Sequence, residues 1–382
     1  MHSEANIIFQ VSIAIVTATA GAFVAKLFRQ PLLLGYLAAG IVIGETQGLG
    51  LIQTGVIEPI AELGLILLLF MIGLEIDLKK LKGSGGPVIA AGVLQFPIGV
   101  ALGLLVAPLL GFHFVTGQFA PLYIAVAAAL ASTMIVVKLL YDRQELDTLP
   151  GRITLGVLVF QDLWAILFLA VQPDLRNPAP GVILLSLAKA TLLVGFALVV
   201  SRYVLPALFR FIAKVPELMV SGALAWCFLV ALIAERLGLS LEMGALIAGV
   251  SLSTFPYNLD VIAKVISLRD FFITLFFVTL GTRVPRPDAN VIWAAVALSV
   301  FLILSRFVAL TPLLYSFKRG NRASVIPALN LSQISEFSLV ICSIGLGLGH
   351  IDQRVLSVVV FTLVITSVTS TYAIQFNHEI YF

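Results

Sequence analysis

The strongest constraint on this chain is that its apolar residues come in runs of membrane-crossing length, one after another, with almost no charge inside them. Breaks at Pro, Gly and charge clusters divide it into thirteen candidate spans, near 5–28, 31–45, 55–77, 86–110, 119–141, 151–172, 180–207, 216–236, 240–255, 260–282, 289–315, 323–349 and 353–376. A full helical crossing takes about 20 apolar residues, so runs such as 31–45 are short for one. Of the 382 residues 60% are hydrophobic and 11% charged, against about 25% charged in a soluble domain. A water-soluble domain is excluded, and the fold class expected is an all-α polytopic membrane protein. The formal net charge of +3 is spread over short basic clusters, which argues against a nucleic-acid partner. Cys227 and Cys342 both sit inside apolar runs and offer neither a disulfide framework nor metal-ligand spacing. The first run has spanning length and no basic region before it, so it reads as a span rather than a cleavable signal peptide.

The loop charges test the division. Lys26, Arg29, Lys79, Lys80, Lys82, Lys138, Arg143, Arg152, Arg202, Arg210, Lys214, Lys264, Arg269, Lys318, Arg319 and Arg322 fall on odd-numbered loops; only Arg176, Arg236, Arg283, Arg286 and Arg354 fall on even ones. This asymmetry places the odd loops and the C-terminus in the cytoplasm and the N-terminus outside. Spans 1–6 (residues 1–178) then begin outside and spans 8–13 (residues 215–382) begin inside, joined by a linker helix, span 7 (residues 179–214). Two six-span halves of opposite orientation are what an inverted-repeat secondary transporter requires.

Charges at membrane depth are costly and mark function or pairing. Asp162 lies mid-span in Phe160-Gln161-Asp162-Leu163-Trp164, with no Lys or Arg nearby in its span. It reads as a carboxylate that holds a proton and a cation in turn, the alternative being a structural acid satisfied by a neighbouring helix. Arg306 in span 11 and Glu336 in span 12 are placed to form a buried ion pair, with direct ion handling as the other reading. Glu62 in span 3 is undecided between a cavity and a subunit interface, and Lys189 in span 7 reads as a snorkelling side chain. Ala131-Ser132-Thr133 interrupts span 5, and Ser332-Gln333-Ile334-Ser335 interrupts span 12. Small polar stretches at matching positions of two halves mark helices that unwind at an ion site, although each alone could simply pack helices. His2, His113, His350 and His378 are terminal or near loop ends and read as ordinary solvated histidines, with pH sensing as the alternative for His113 and His350. No constellation for hydrolytic or metal chemistry appears, and no enzyme is expected.

Pro31-Leu32-Leu33-Leu34-Gly35-Tyr36 with Gly40 and Gly44, Ala61-Glu62-Leu63-Gly64, Phe70-Met71-Ile72-Gly73-Leu74-Glu75, Ser132-Thr133, Phe160-Gln161-Asp162 and Ser335-Glu336-Phe337 follow one another in order along the chain. Together they resemble the monovalent cation:proton antiporter-2 family, closest to its Kef-type potassium/proton branch. The resemblance implies a homodimer of thirteen-helix, inverted-repeat protomers with two crossing broken helices and an elevator-type mechanism. Asp162 would bind cation and proton in turn, with Gln161, Ser132 and Thr133 close to the ion. Arg306 and Glu336 would lie beside the crossing, and Gln333, Ser335 and Glu62 are secondary candidates.

The transported species would be K⁺, or alternatively Na⁺, against H⁺, with no cofactor in this chain. Members with two adjacent acids at the Asp162 position tend to be electrogenic and sodium-selective. A Gln-Asp pair implies electroneutral exchange and a weaker field that favours K⁺. Two positions depart from the family pattern: Met134, where Ala is frequent, and Arg306, where Kef-type members often carry Lys. Arginine does not lose its proton in a protein, which excludes a deprotonating-lysine role in coupling. Kef-type proteins usually continue into a soluble nucleotide-binding regulatory domain, so such a domain or subunit is a possible partner beyond residue 382. A gated cation channel is the competing reading from another class, but the sequence offers no filter loop or acidic pore ring for it. A sodium-coupled organic-anion symporter would need more intramembrane polar residues than these spans contain.

Overall fold

The computed structural model describes residues 2–45, 48–75, 85–146, 148–176, 179–212, 216–253, 258–317 and 320–375. Lys79, Lys80, Lys82, Lys214, Lys318, Arg319 and His378, on which part of the sequence reading rests, lie outside them. The helices are α1 (His2–Leu27), α2 (Leu32–Ile43), α3 (Thr54–Glu75), α4 (Gly85–Val106), α5 (Ala120–Ala129) and α6 (Thr133–Asp142). They continue as α7 (Leu149–Val171), α8 (Pro180–Tyr203), α9 (Leu205–Ile212), α10 (Pro216–Arg236) and α11 (Leu241–Ser253). The last are α12 (Asn258–Thr282), α13 (Ala289–Ser316), α14 (Asn321–Asn330), α15 (Glu336–Gly347) and α16 (Gln353–Gln375). A chain in hydrocarbon must satisfy its backbone internally, and helices do so within each segment. Among the described residues nine helical stretches are long and apolar enough to cross a membrane, while α2, α11 and α15 are shorter apolar helices.

Each expected span contains a helix, and the two interrupted ones contain two helices in tandem: α5–α6 in 119–141 and α14–α15 in 323–349. One boundary moves. The apolar run drawn to residue 207 ends as α8 at Tyr203, and a short separate helix, α9, follows. Pro206 has no N–H to extend the α8 ladder. In α9, Leu205 and Phe209 are buried while Leu208 and Arg210 are exposed, the one-sided pattern of a helix lying on a surface.

By packing, the chain forms two compact units. Unit 1 comprises Met1–Ala20, Tyr36–Leu78 and Ile166–Thr282; unit 2 comprises Gly21–Gly35, Lys79–Ala165 and Arg283–Phe382. Each unit draws segments from both sides of the 179–214 linker.

Unit 1 is built on close approach of α3 to α11 and α12. A Cβ on Gly73 would stand 2.7 Å from the Val250 nitrogen and 2.9 Å from the Gly249 Cα, and one on Gly249 would meet the backbone of Phe70, Gly73 and Leu74. Helices without a hydrophobic drive between them associate through such small-residue contacts. Phe70, Met71, Trp226, Met243 and Ile247 fill the core beside this contact, and the Trp226 indole donates to the Ser251 hydroxyl at 3.0 Å.

Unit 2 holds α4, α5, α6, most of α7, and α13 to α16. Its core gathers Val88, Val136, Leu158, Leu310 and Ile374. His350 departs from the solvated histidine expected there. It is 1% exposed, and its Nδ1 is 2.9 Å from the Tyr123 hydroxyl. The turn that ends α15, with Gly349 at φ +67°, folds the ring inward. Phe119 N–H donates to the His350 carbonyl at 2.7 Å, so the start of α5 is fastened to the end of α15. His113, by contrast, is exposed.

The glycine contacts predict opposite signs for one chemical change. Gly73→Ala, at the crowded α3–α11 approach, should destabilise the protein by about 1–3 kcal/mol. Gly195→Ala, on α8 with nothing within 4 Å of the new methyl group, should be neutral or stabilise by up to about 1 kcal/mol through lower backbone entropy. Thermal unfolding of the purified variants in detergent measures both; equal shifts would contradict the packing.

Candidate functional site

The two interrupted helices of unit 2 define the site. α5 ends at Ala129; Leu130 is extended (φ −91°, ψ 142°), and α6 begins at Thr133 after Ser132 (φ −71°, ψ 115°). α14 ends at Asn330, and α15 begins at Glu336 after Ser335 (φ −85°, ψ 146°). Each break creates a helix C-terminus with orphan carbonyls and a helix N-terminus with orphan N–H groups. Inside a membrane protein these need protein partners.

Arg306 of α13, fully buried, supplies most of the donors. Its Nη1 donates to the Ala129 carbonyl at 2.7 Å, Nη2 to Ala128 at 2.7 Å and Leu130 at 3.1 Å, and Nε to Leu331 at 3.0 Å. One guanidinium thus caps the end of α5 and takes a carbonyl of the second break. A cation is favoured at such helix ends by the macrodipole, which offsets the cost of burying it without a carboxylate.

Glu336 is the mirror of this arrangement. It is buried at the first position of α15, and the Ser132 hydroxyl, the Met134 N–H and its own N–H act on its carboxyl group electrostatically. Its charge therefore stands near the N-termini of both α6 and α15. The expected Arg306–Glu336 ion pair is not formed: the guanidinium is taken up by carbonyls of the breaks instead. The hydroxyl residues complete the caps. Ser132 accepts from Ile135 N–H at 3.2 Å and Ser335 from Phe337 N–H at 3.0 Å. Ser338 donates to the Ala127 carbonyl at 3.0 Å, and Thr366 accepts from Ile334 N–H at 3.2 Å.

Gln161, buried on α7, also faces the first break. Its Oε1 accepts from Ala131 N–H at 2.8 Å and its Nε2 donates to Gln95 Oε1 at 2.6 Å. The amide therefore acts as a substitute for lost backbone pairing. Asp162, the next residue along α7, is half-buried, as is Thr133 at the start of α6. Gln333 is fully buried in the second break, and neither amide atom has a protein partner. Glu62 stands elsewhere, exposed on α3 in unit 1, where its charge acts on Glu242 of α11. Lys189 is half-buried on α8, with its Nζ close to Gly238 beyond the end of α10.

Sequence reasoning missed Gln95, Asn330 and Thr154. Gln95 is a lone polar residue in an apolar run two positions before Pro97, a weak signal that could have been weighed. Asn330 Nδ2 donates to Thr154 Oγ1 at 3.3 Å, a pairing that only the fold brings together. The described residues hold no cluster of three or more metal-ligating His, Cys, Asp or Glu side chains.

Comparison with known proteins places this geometry. Residues 12–376 match the family described as sodium/hydrogen exchanger, transmembrane. The chain is 31% identical to K(+) efflux antiporter 4 of Arabidopsis thaliana over 97% of its own length and 64% of that protein's. It is 33% identical to the glutathione-regulated potassium-efflux system protein KefC of Shigella sonnei over 81% of this chain and 50% of that one. It is 26% identical to the Na(+)/H(+)-K(+) antiporter GerN of Bacillus cereus, over 95% and 94% of the two lengths. The chain therefore spans only one-half to two-thirds of the length of the first two relatives. In fold it is similar to the sodium proton antiporter MjNhaP1 of Methanocaldococcus jannaschii, with a TM-score of 0.73 at 15% identity, covering 99% of this chain and 98% of that one. By sequence and by fold, this chain belongs to the sodium/hydrogen exchanger transmembrane family, on its Kef-type, cation:proton antiporter-2 side.

Proposed function

We propose that the chain exchanges a monovalent cation, K⁺ foremost, for H⁺ across the cytoplasmic membrane, with Asp162 holding the two in turn. The observation that carries this reading is the division of labour among the acidic and basic groups around the breaks. Arg306 and Glu336 are buried, and the guanidinium is held by four backbone carbonyls, whereas Asp162 is half-buried one residue from Gln161, which bonds the first break. One carboxylate that trades one proton for one monovalent cation moves no net charge. Arg306 adds nothing to that count, because a guanidinium stays protonated and this one has a fixed set of carbonyl partners.

The rest of the reading follows from the family. Thirteen spans form inverted halves, 1–178 and 215–382, around the 179–214 linker, with the N-terminus outside and the C-terminus in the cytoplasm. The broken helices cross in a core that moves elevator-fashion to give alternating access. The protein works as a homodimer, with regulation by a soluble nucleotide-binding domain or subunit beyond residue 382. Sodium is the second candidate cation, favoured by the GerN relative, which is named for both ions.

Proteoliposomes with a pH-sensitive dye test the proposal, with K⁺, Na⁺ or Li⁺ added in turn and the potential clamped with valinomycin. Wild type should release protons on K⁺ addition regardless of potential, and Asp162→Asn should abolish the response. Exchange at the wild-type rate in Asp162→Asn would overturn the mechanism, and a response to Na⁺ or Li⁺ alone would overturn the choice of K⁺.

Arg306→Leu tests the assignment of that residue to architecture. It orphans the carbonyls of Ala128, Leu130 and Leu331, while Ala129 keeps a donor from Gln95. At about 1–3 kcal/mol for each buried group left unsatisfied, thermal stability should fall by the equivalent of roughly 3 kcal/mol or more. A variant as stable as wild type would show that the guanidinium does not hold the breaks.

A further inference from the structure

α4 carries a fully buried glutamine in the otherwise apolar run Leu94-Gln95-Phe96-Pro97. Its amide stands between Gln161 and the first break. Oε1 accepts from Gln161 Nε2 at 2.6 Å, and Nε2 donates to the Ala129 carbonyl at 3.3 Å, the oxygen that Arg306 Nη1 also reaches at 2.7 Å. A carbonyl only accepts, so the Gln95 NH₂ must face Ala129 and the Gln95 oxygen must face Gln161. That fixes the sense of Gln161 in turn, with its NH₂ toward Gln95 and its oxygen toward Ala131 N–H at 2.8 Å. Flipping either amide would set donor against donor and acceptor against acceptor.

The two helices hold this pair in register. Pro97 lacks an N–H, which leaves the Val93 carbonyl without its in-helix donor. The Trp164 indole of α7 supplies one at 3.2 Å while stacking on Phe96 with ring centroids 5.5 Å apart. The Phe160 ring lies against Gly92, where a Cβ would stand 2.6 Å from its Cγ. Phe160, Gln161 and Trp164 together set the rotation of α7 on α4. Asp162 follows Gln161 by about 100° around the helix and is placed by that rotation.

We infer that Gln95 is a positioning residue that sets cation discrimination at Asp162, acting through the Gln161 amide without touching the ion. The inference rests on the exchange reading. With its NH₂ held by Gln95 and its oxygen by Ala131 N–H, Gln161 is fixed at both ends of the amide. Without the Gln95 acceptor only the Ala131 bond remains, and the amide is left to exchange that bond for the cation, adding an oxygen ligand next to Asp162. More ligands of higher field strength favour the smaller, more strongly hydrated cation. Loss of the Gln95 acceptor therefore moves preference from K⁺ toward Na⁺.

The test measures apparent KM for K⁺ and for Na⁺ in the same proteoliposomes for wild type, Gln95→Leu, Gln95→Met, Gln95→Glu and Asp162→Asn. Gln95→Leu should shift the KM ratio toward Na⁺ on the order of tenfold, the equivalent of one hydrogen bond. Gln95→Met removes the same acceptor in a shape closer to glutamine; it should match Gln95→Leu and serves in its place if that variant does not fold. Gln95→Glu, its buried carboxyl group protonated, still accepts from Gln161 and donates to the Ala129 carbonyl, and it should keep the wild-type ratio. An unchanged ratio in Gln95→Leu and Gln95→Met, even with a lower melting temperature, overturns the inference, as does an equal shift in Gln95→Glu. If Asp162→Asn exchanges at the wild-type rate, the exchange reading itself falls; if Asp162 is required and Gln95→Leu keeps the wild-type ratio, only the role of Gln95 falls.

Discussion

A helix that unwinds inside a low-dielectric slab leaves backbone groups that only the protein can satisfy, and the buried guanidinium of Arg306 satisfies four of them at once. Each orphaned carbonyl would cost about 1–3 kcal/mol in a protein whose whole stability is on the order of 5–15 kcal/mol. Without such a group, an unwound α5–α6 segment would be expected to refold into a continuous helix. With it, the ends of α5 and α14 are held at one cation, while the starts of α6 and α15 are capped by Ser132 and Ser335 with the charge of Glu336 beside them. The two charged side chains complement opposite ends of the half-helix dipoles. This is why they are drawn to backbone and not to each other.

That arrangement has a consequence for transport. An ion site assembled from unwound backbone is only as selective as the backbone is fixed, because coordination depends on the number and direction of the oxygens. Here the directions are set from α13, α4 and α7, by Arg306, Gln95 and Gln161. Ser132 contributes from within the break, where it caps α6. On the proposed exchange reading, Asp162 needs none of these as a proton donor. It needs them to keep the geometry around it constant while it changes its own charge.

The sequence made some of this legible and hid the rest, for physical reasons. Apolar run length is a local property, so the spans could be read directly. The interruptions at Ala131-Ser132-Thr133 and Ser332-Gln333-Ile334-Ser335 were readable because small hydroxyl residues cap half-helices from their own chain positions. Partner choice is not local. Arg306 and Glu336 looked like a pair because opposite charges on neighbouring spans suggest one, but backbone acceptors carry no mark in a sequence. His350 looked solvated because it follows a helix end, and only the turn at Gly349 shows that it folds under α5. Gln95 passed unnoticed because one amide in an apolar run has no pattern around it. The end of α8 at Tyr203 was obscured by the apolar residues of α9, which continue the run while changing its direction.

The neutral residue at 161 can now be seen from the architecture as well as from electrostatics. A side chain at that position must accept from Ala131 N–H and donate to Gln95 at the same time. An amide does both. An ionised carboxylate accepts only, so an acid at 161 would keep the Ala131 contact, lose the tie to α4 and set its charge against the Gln95 oxygen. Swapping Gln for an acid here is therefore a change to the scaffold and to the field together. Two adjacent acids would require a donor at position 95 in place of the glutamine oxygen. The Gln-Asp pair and Gln95 are one design, in which the tie that holds the first break open also keeps a second negative charge away from Asp162.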